Sequence, residues 1–319
     1  MTFLKRLGID TYMLLLLGTV ALGLVLPARG AAAEILGYVT FWAVALLFFL
    51  YGARLEPASV KAGLLNWRLQ GLTFATTFVV FPLLGLALAA VFGPLLGAAM
   101  TLGLLFLAVL PSTVQSAIAF TSLAGGNVPA AVCAASLSNL VGVVLTPLLV
   151  ALLLSRGGEV HLDAVLKISV QILLPFALGQ MLRRWIGAFV VRHRTLTLTV
   201  DRGSILLIVY SAFSAGTVAG LWNDIPPLSL VLLAAVVSLF LALVLGLMVL
   251  AGRVFALPRP DRLTLLFCGA TKSLATGLPI ATALFPAETV GATVLPLMMY
   301  HMIQLLVCAL IAQRGSRQG

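Results

Sequence analysis

The sequence predicts an all-α membrane protein of about ten transmembrane helices, and three observations carry that expectation. Of 319 residues, 62% are hydrophobic and only 9% charged, against roughly 45–50% apolar and ~25% charged in soluble domains. Mean hydropathy is +1.18. Apolar runs of about 20 residues, the length that crosses a bilayer, recur along the whole chain. Ten such runs would use about 200 residues and leave short loops, with no room for a sizeable soluble domain.

Between charged or Gly/Pro punctuation the first half gives spans at 12–28, 35–53, 69–92, 97–123 and 128–155. The second half gives 164–182, 199–221, 227–251, 263–284 and 289–312. At the start, Lys5 and Arg6, the run from Tyr12 to Leu26 and the small residues Ala31 to Ala33 imitate a secretory signal peptide. Cleavage there is not expected, because it would remove the first span and break a five-plus-five arrangement.

The net charge of +10 raises the question of nucleic acid. That partner needs Lys and Arg gathered on one solvated face, whereas here they are scattered between spans, so the lipid bilayer is the expected partner. Placed on alternating sides, 15 of the 19 Lys and Arg fall on one side, including Arg54, Arg68, Arg183, Arg184, Arg192, Arg202 and Arg314. Arg29, Arg156 and Lys167 fall on the other. The positive-inside rule then predicts an inner-membrane protein with both termini in the cytoplasm. Cys133, Cys268 and Cys308 lie inside apolar runs with no CxxC spacing, so neither a disulfide framework nor a metal site is expected.

Five spans per half is an odd number, so if residues 1–158 and 159–319 are repeats they must lie inverted in the membrane. AGGNVPAAV (124–132) laid over PAETVGATV (286–294) matches three residues in nine, an echo that chance also produces. The fourth span of each half carries more weight, since both are interrupted in the same manner. Span four reads PSTVQSA, with Pro111, Ser112, Thr113, Gln115 and Ser116 where the bilayer centre should be. Span nine reads GATKSLATGLP, with Gly269, Thr271, Lys272, Ser273, Thr276, Gly277 and Pro279 at similar depth. Pro removes a backbone donor and Gly loosens the helix, so each span can unwind and free backbone groups. One such span alone reads as an ordinary Pro-kinked helix. Two in corresponding positions point to a transport site, where unwound backbone lines a cavity and half-helix ends face a solute or ion.

Lys272 is about ten residues into span nine, hence ~15 Å deep at ~1.5 Å per residue, near the centre of a ~30 Å core. Placing Lys there costs ~2.5 kcal/mol or more, and such residues mark pathways. All nine Asp and Glu fall at span ends or in loops by this reading, so no midplane carboxylate neutralises it. Either the Lys is deprotonated, or unwound carbonyls hold it, or its partner is an anionic substrate; the bland alternative is a Lys that only locks two helices. In span ten, His301 and Gln304 are three apart and share a helical face. His301 is a candidate proton carrier or a packing residue. In span five, Ser136, Ser138 and Asn139 are polar at mid-depth and are either helix glue or substrate ligands. The candidate substrate-binding or coupling residues are therefore Lys272, Thr271, Ser273, Gln115, Ser116, Asn139, His301 and Gln304. There is no HExxH, GxSxG or Walker loop, so an enzyme is not expected, no cofactor is implied, and transport would run on a gradient.

PSTVQSA followed by AGGN, then TKSLATGLP, then LPLMMYHMIQ resemble the bile acid:sodium symporter family, solute carrier family ten. The likeness is to its SBF-like, member-seven branch with bacterial relatives, and it covers essentially the whole chain. The resemblance implies ten helices in two inverted five-helix repeats, a scaffold of spans 1, 2, 6 and 7, and a core of spans 3–5 and 8–10 whose broken helices cross. It also implies positions for the family's sodium ligands, which here look like Phe267, Ala117, Ile118, Ala131, Ala135 and Thr77. At most one of these six offers oxygen, and a hard cation needs about five or six. Lys272 falls where the family's Asn follows the sodium-binding segment. The expected function is a secondary transporter of an organic anion by alternating access, with a coupling ion that is not sodium or with none. The alternative is a regulatory or structural membrane protein that keeps the fold without transport.

Overall fold

A computed structural model describes residues 11–54, 66–154, 162–224 and 226–316. Every regular element among them is helical. Helix α1 spans Thr11–Val25 and α2 Ala31–Arg54. Helix α3, Trp67–Ala75, passes through a π turn at Thr76–Val80 into α4, Phe81–Leu96. Helices α5 (Ala98–Val109), α6 (Gln115–Leu123) and α7 (Val128–Leu154) complete the first half. The second half has α8 (Leu162–Arg192), α9 (Arg194–Val218), a 3-10 turn at Leu221–Asp224, and α10 (Pro227–Val254). It closes with α11 (Arg259–Ala270), α12 (Leu274–Leu284) and α13 (Ala287–Ser316).

Seven stretches are long and apolar enough to cross a membrane: Ala31–Arg54, Trp67–Leu96, Val128–Leu153, Thr195–Val218, Pro227–Val254, Arg259–Leu284 and Ala287–Arg314. Leu14–Val25 and Ala98–Val109 are apolar but shorter. The expected span at 97–123 is divided between α5 and α6, and the expected sixth span falls within the 31 residues of α8. Large apolar side chains such as Leu83, Val91, Leu152 and Leu228 are each more than 60% exposed, which suits a surface bathed in hydrocarbon rather than water. The chain is a multi-pass membrane protein.

The window across α11 and α12 is 89% buried, against 28–44% for the other six. These two helices, with Lys272 between them, form the middle of the molecule. Around them α2 and α8 approach closely through two glycines. A Cβ on Gly52 would sit 2.0 Å from the Phe176 carbonyl oxygen, and one on Gly179 would sit 2.0 Å from that of Phe49. Small residues of this kind let membrane helices touch backbone to backbone, where packing rather than the hydrophobic effect drives association.

Two expectations need adjusting. The helix of the seventh span begins near 194 rather than 199, so Asp201 lies two turns inside α9 and is buried, not at a span end. Asp261 is buried in the first turn of α11, where it accepts from the side-chain amides of Asn66 (2.9 Å) and Asn127 (2.8 Å). That second bond accounts for AGGN: Gly125, with φ +76, turns the chain after α6 so that Asn127 can meet the start of α11. Lys5, Arg6, Lys61, Arg156 and Arg317, which contribute to the charge bias, lie outside the described residues.

Candidate functional site

Helix α5 stops at Val109, Leu110 is extended, and the chain stays irregular until α6 begins at Gln115. Helix α11 stops at Ala270, Thr271 is extended, and α12 begins after Ser273. The two irregular segments lie against each other. The Ser273 N–H donates to the Pro111 carbonyl (3.0 Å), and Ser112 Oγ donates to the Cys268 carbonyl (2.7 Å) and lies 3.2 Å from Thr271 Oγ1.

Backbone groups released at this depth must find partners, because no water competes for them in hydrocarbon. Most of them do. Val109 C=O is met by Thr146 Oγ1 (2.9 Å), Ser112 C=O by Asn139 Nδ2 (2.8 Å), and Ser112 N–H by Ser138 Oγ (3.0 Å). Ala270 C=O is met by Tyr300 Oη (2.7 Å). The Lys272 peptide is held on both sides by Gln304, whose Oε1 accepts from N–H (2.8 Å) while Nε2 donates to C=O (2.9 Å). Gln304 Nε2 also lies 2.8 Å from His301 Nδ1, so its second proton is matched when that ring nitrogen is the acceptor. Ser273 caps α12, its Oγ accepting from Thr276 N–H (3.1 Å), and Thr276 Oγ1 donates to Asn139 Oδ1 (2.7 Å).

The remaining carbonyls converge on Lys272. This side chain is fully buried, and its Nζ donates to the carbonyls of Thr77 (3.0 Å), Ala108 (3.0 Å) and Leu110. Thr77 belongs to the π turn, a local widening that recurs at functional sites. Three acceptors call for three N–H donors, which an ammonium has and a neutral amine lacks. The ring of Phe81 lies beneath Nζ, 3.9 Å from its centroid, a cation–π contact. Hydrogen bonds to a charged group contribute ~1.5–3 kcal/mol each, so three of them offset much of the cost of burying a Lys at this depth.

Apart from Thr77, the positions matched to sodium ligands by resemblance are apolar, and all but Ile118 are fully buried or nearly so. Ala117, Ala131, Ala134 and Cys268 form one buried cluster with Ile118 against it, and Phe267 is fully buried. Thr77 spends its hydroxyl on the Thr73 carbonyl (2.9 Å) and its own carbonyl on Lys272. These donors do not fit a hard cation.

Beside the two irregular segments lies a cavity of about 580 Å³. Its lining residues come from α1, α2, α8 and α9 and from α6, α7, α12 and α13. Of the residues singled out by sequence, Gln115, Ser116, Asn139, Ser273 and His301 line it, whereas Thr271, Lys272 and Gln304 lie behind it. Sequence reasoning missed Thr146 and Tyr300, which serve the freed carbonyls, and the ion pair of Arg54 with Asp201, which also lines the cavity. A basic residue closing span two and an acid opening span seven are the only signal of that pair.

A family model described as the SBF-like CPA transporter family matches residues 10–317. The chain belongs to that family. As an SBF-like transporter it is similar to the uncharacterized protein PA2026 of Pseudomonas aeruginosa, 52% identical over 97% of this chain and 93% of the relative. It is also similar to the putative symporter YfeH of Escherichia coli, 44% identical over 97% and 94%. The sodium/bile acid cotransporter 7 of Rattus norvegicus is 28% identical over 84% and 80%. The resemblance read from PSTVQSA, TKSLATGLP and LPLMMYHMIQ is borne out, and the family and relatives indicate a transporter rather than an enzyme.

Proposed function

We propose that this SBF-like transporter moves an organic anion by alternating access and does so without sodium. The observation that carries the reading is Lys272, a fixed ammonium holding the carbonyls of Thr77, Ala108 and Leu110 at the meeting of two interrupted helices. A coupling cation could do the same work, but Ala117 and Ala131, at positions matched to the family's sodium ligands, pack in an apolar cluster and offer it no side-chain oxygen. Lys272 thus replaces the ion with a permanent charge.

In this reading α5–α6 and α11–α12 are each one broken span, ten spans form two inverted repeats over 1–158 and 159–319, and spans 3–5 and 8–10 move as a core against a scaffold of spans 1, 2, 6 and 7. The cavity is compatible with that division, since helices of both groups line it. Solute binds in the cavity, against Gln115, Ser116, Asn139, Ser273 and His301, while Thr271, Lys272 and Gln304 keep the crossing in shape. The name of the rat relative points to bile acids, which are amphipathic organic anions, and a largely apolar cavity suits a solute of that chemistry. The bias of Lys and Arg supports an inner-membrane protein with both termini cytoplasmic.

The test is uptake into proteoliposomes of a panel of labelled organic anions. Saturable uptake of at least one anion, unchanged when choline replaces sodium, is the expected result. Absence of flux for the whole panel would favour a non-transporting role for the fold.

A further inference from the structure

We propose that Arg54 receives the anionic group of the solute and that Asp201 is a resident placeholder which the solute displaces. The proposal rests on the organic-anion reading and supplies the cation it needs. Lys272 does not line the cavity, and its ammonium is already committed to three carbonyls. The cationic residues in the lining are Arg54 and Arg202, and Arg202 lies over the ring of Tyr12, 5.0 Å from its centroid.

The geometry of the ion pair is incomplete in an informative way. Arg54 Nη1 meets Asp201 Oδ2, while Arg54 Nη2 and Asp201 Oδ1 are buried with no hydrogen-bond partner among the described residues. A guanidinium and a carboxylate commonly dock through two parallel N–H···O bonds, so each group here uses only part of its capacity. A buried donor left unmet is destabilising, more so when charged. An incoming carboxylate, sulfonate or sulfate presents two oxygens to Arg54 and recovers the bond that Asp201 leaves unmade. Asp201 in turn keeps the site from holding its cargo too tightly, and a carrier must also release.

The surroundings fit a monoanion with an apolar body. Leu16, Leu140, Val143, Phe176, Ile205 and Leu305 line the same cavity. Arg54 also borders a second groove, of about 530 Å³, whose wall includes Arg183, Arg184 and Arg192 of α8. Guanidinium groups gathered there raise the local concentration of anions beside the cavity.

A competitor and a receptor respond to substitution with opposite signs, and that is the test. The purified full chain is titrated with tritiated decanoate, naphthalene-1-acetate and cholate, each compared with its primary amide. At least one acid should bind saturably and its amide about tenfold more weakly or worse. Arg54→Gln should weaken that acid about tenfold and leave the amide unchanged, whereas Asp201→Asn should tighten the acid several-fold. If both variants lose affinity together, or neither changes it, the pair is only structural and the proposal is overturned. It is likewise overturned if no acid outbinds its amide, or if Arg54→Gln fails to purify and Asp201→Asn shows no gain. Opposite-signed binding without flux in proteoliposomes would instead sink the transport reading and leave this one standing.

Discussion

Gln304 grips the peptide of Lys272 as a neighbouring strand would, accepting from its N–H at 2.8 Å and donating to its C=O at 2.9 Å. The grip fixes the backbone of Lys272 from α13, while the side chain is fixed from α3–α5 by three carbonyls. Helix α13 therefore sets where the ammonium stands.

Gln304→Leu should leave the buried Lys272 N–H without its partner, at ~1–3 kcal/mol, and its C=O with only the longer contact to His301 Nδ1 (3.4 Å). The variant should melt well below wild type in detergent. Tyr300→Phe, which removes one donor from the Ala270 carbonyl, should lower the melting temperature by less. A Gln304→Leu protein as stable as wild type would mean that the Lys272 peptide finds other partners.

The contact of α2 with α8 predicts a second contrast. Gly52→Ala places a methyl group 2.0 Å from the Phe176 carbonyl oxygen, so the helices must part, at ~1–3 kcal/mol or more. Gly71→Ala meets nothing within 4 Å and should be neutral or gain up to ~1 kcal/mol from helix propensity. Thermal melting of the two variants checks this, and equal stability would contradict the close approach.

The fold and the site are unequally legible from sequence. Apolar runs reveal spans because hydrocarbon imposes one length and one composition on every crossing helix. Lys272, the Pro111 segment and the His301–Gln304 face stand out for the same reason, as polar groups where none is cheap. The ligands of Lys272 do not stand out, because they are backbone carbonyls of Thr77, Ala108 and Leu110 and carry no side-chain signature. The π turn at Thr76–Val80 contains neither Pro nor Gly to announce it. Arg54 and Asp201 are 147 residues apart, and in the sequence each reads as the end of an apolar run, where a charge is ordinary.

Both termini should be cytoplasmic. An alkaline phosphatase fusion after Arg317 should be inactive and one in the 156–162 loop active, with green fluorescent protein fusions giving the reverse. Active phosphatase at the C-terminus would invert the topology.

Sodium should not drive transport, because Ala117, Ala131, Ile118 and Phe267 pack as apolar groups at positions matched to ligands. Initial uptake rates in sodium, potassium and choline buffers should agree closely. A steep, saturable sodium dependence would mean that carbonyl oxygens elsewhere build a cation site.

Lys272 is the centre of the proposed mechanism, and anion uptake by Lys272→Met in proteoliposomes tests it most directly. Met keeps the stem and removes the charge, leaving three buried carbonyls without donors, each at ~1–3 kcal/mol. Lys272→Arg keeps the charge, but its wider planar head fits a three-carbonyl pocket poorly. Equal amounts of inserted, monodisperse protein should give no uptake for Lys272→Met and partial uptake for Lys272→Arg. Uptake by Lys272→Met at the wild-type rate would contradict the mechanism and leave Lys272 as a helix lock with no part in transport.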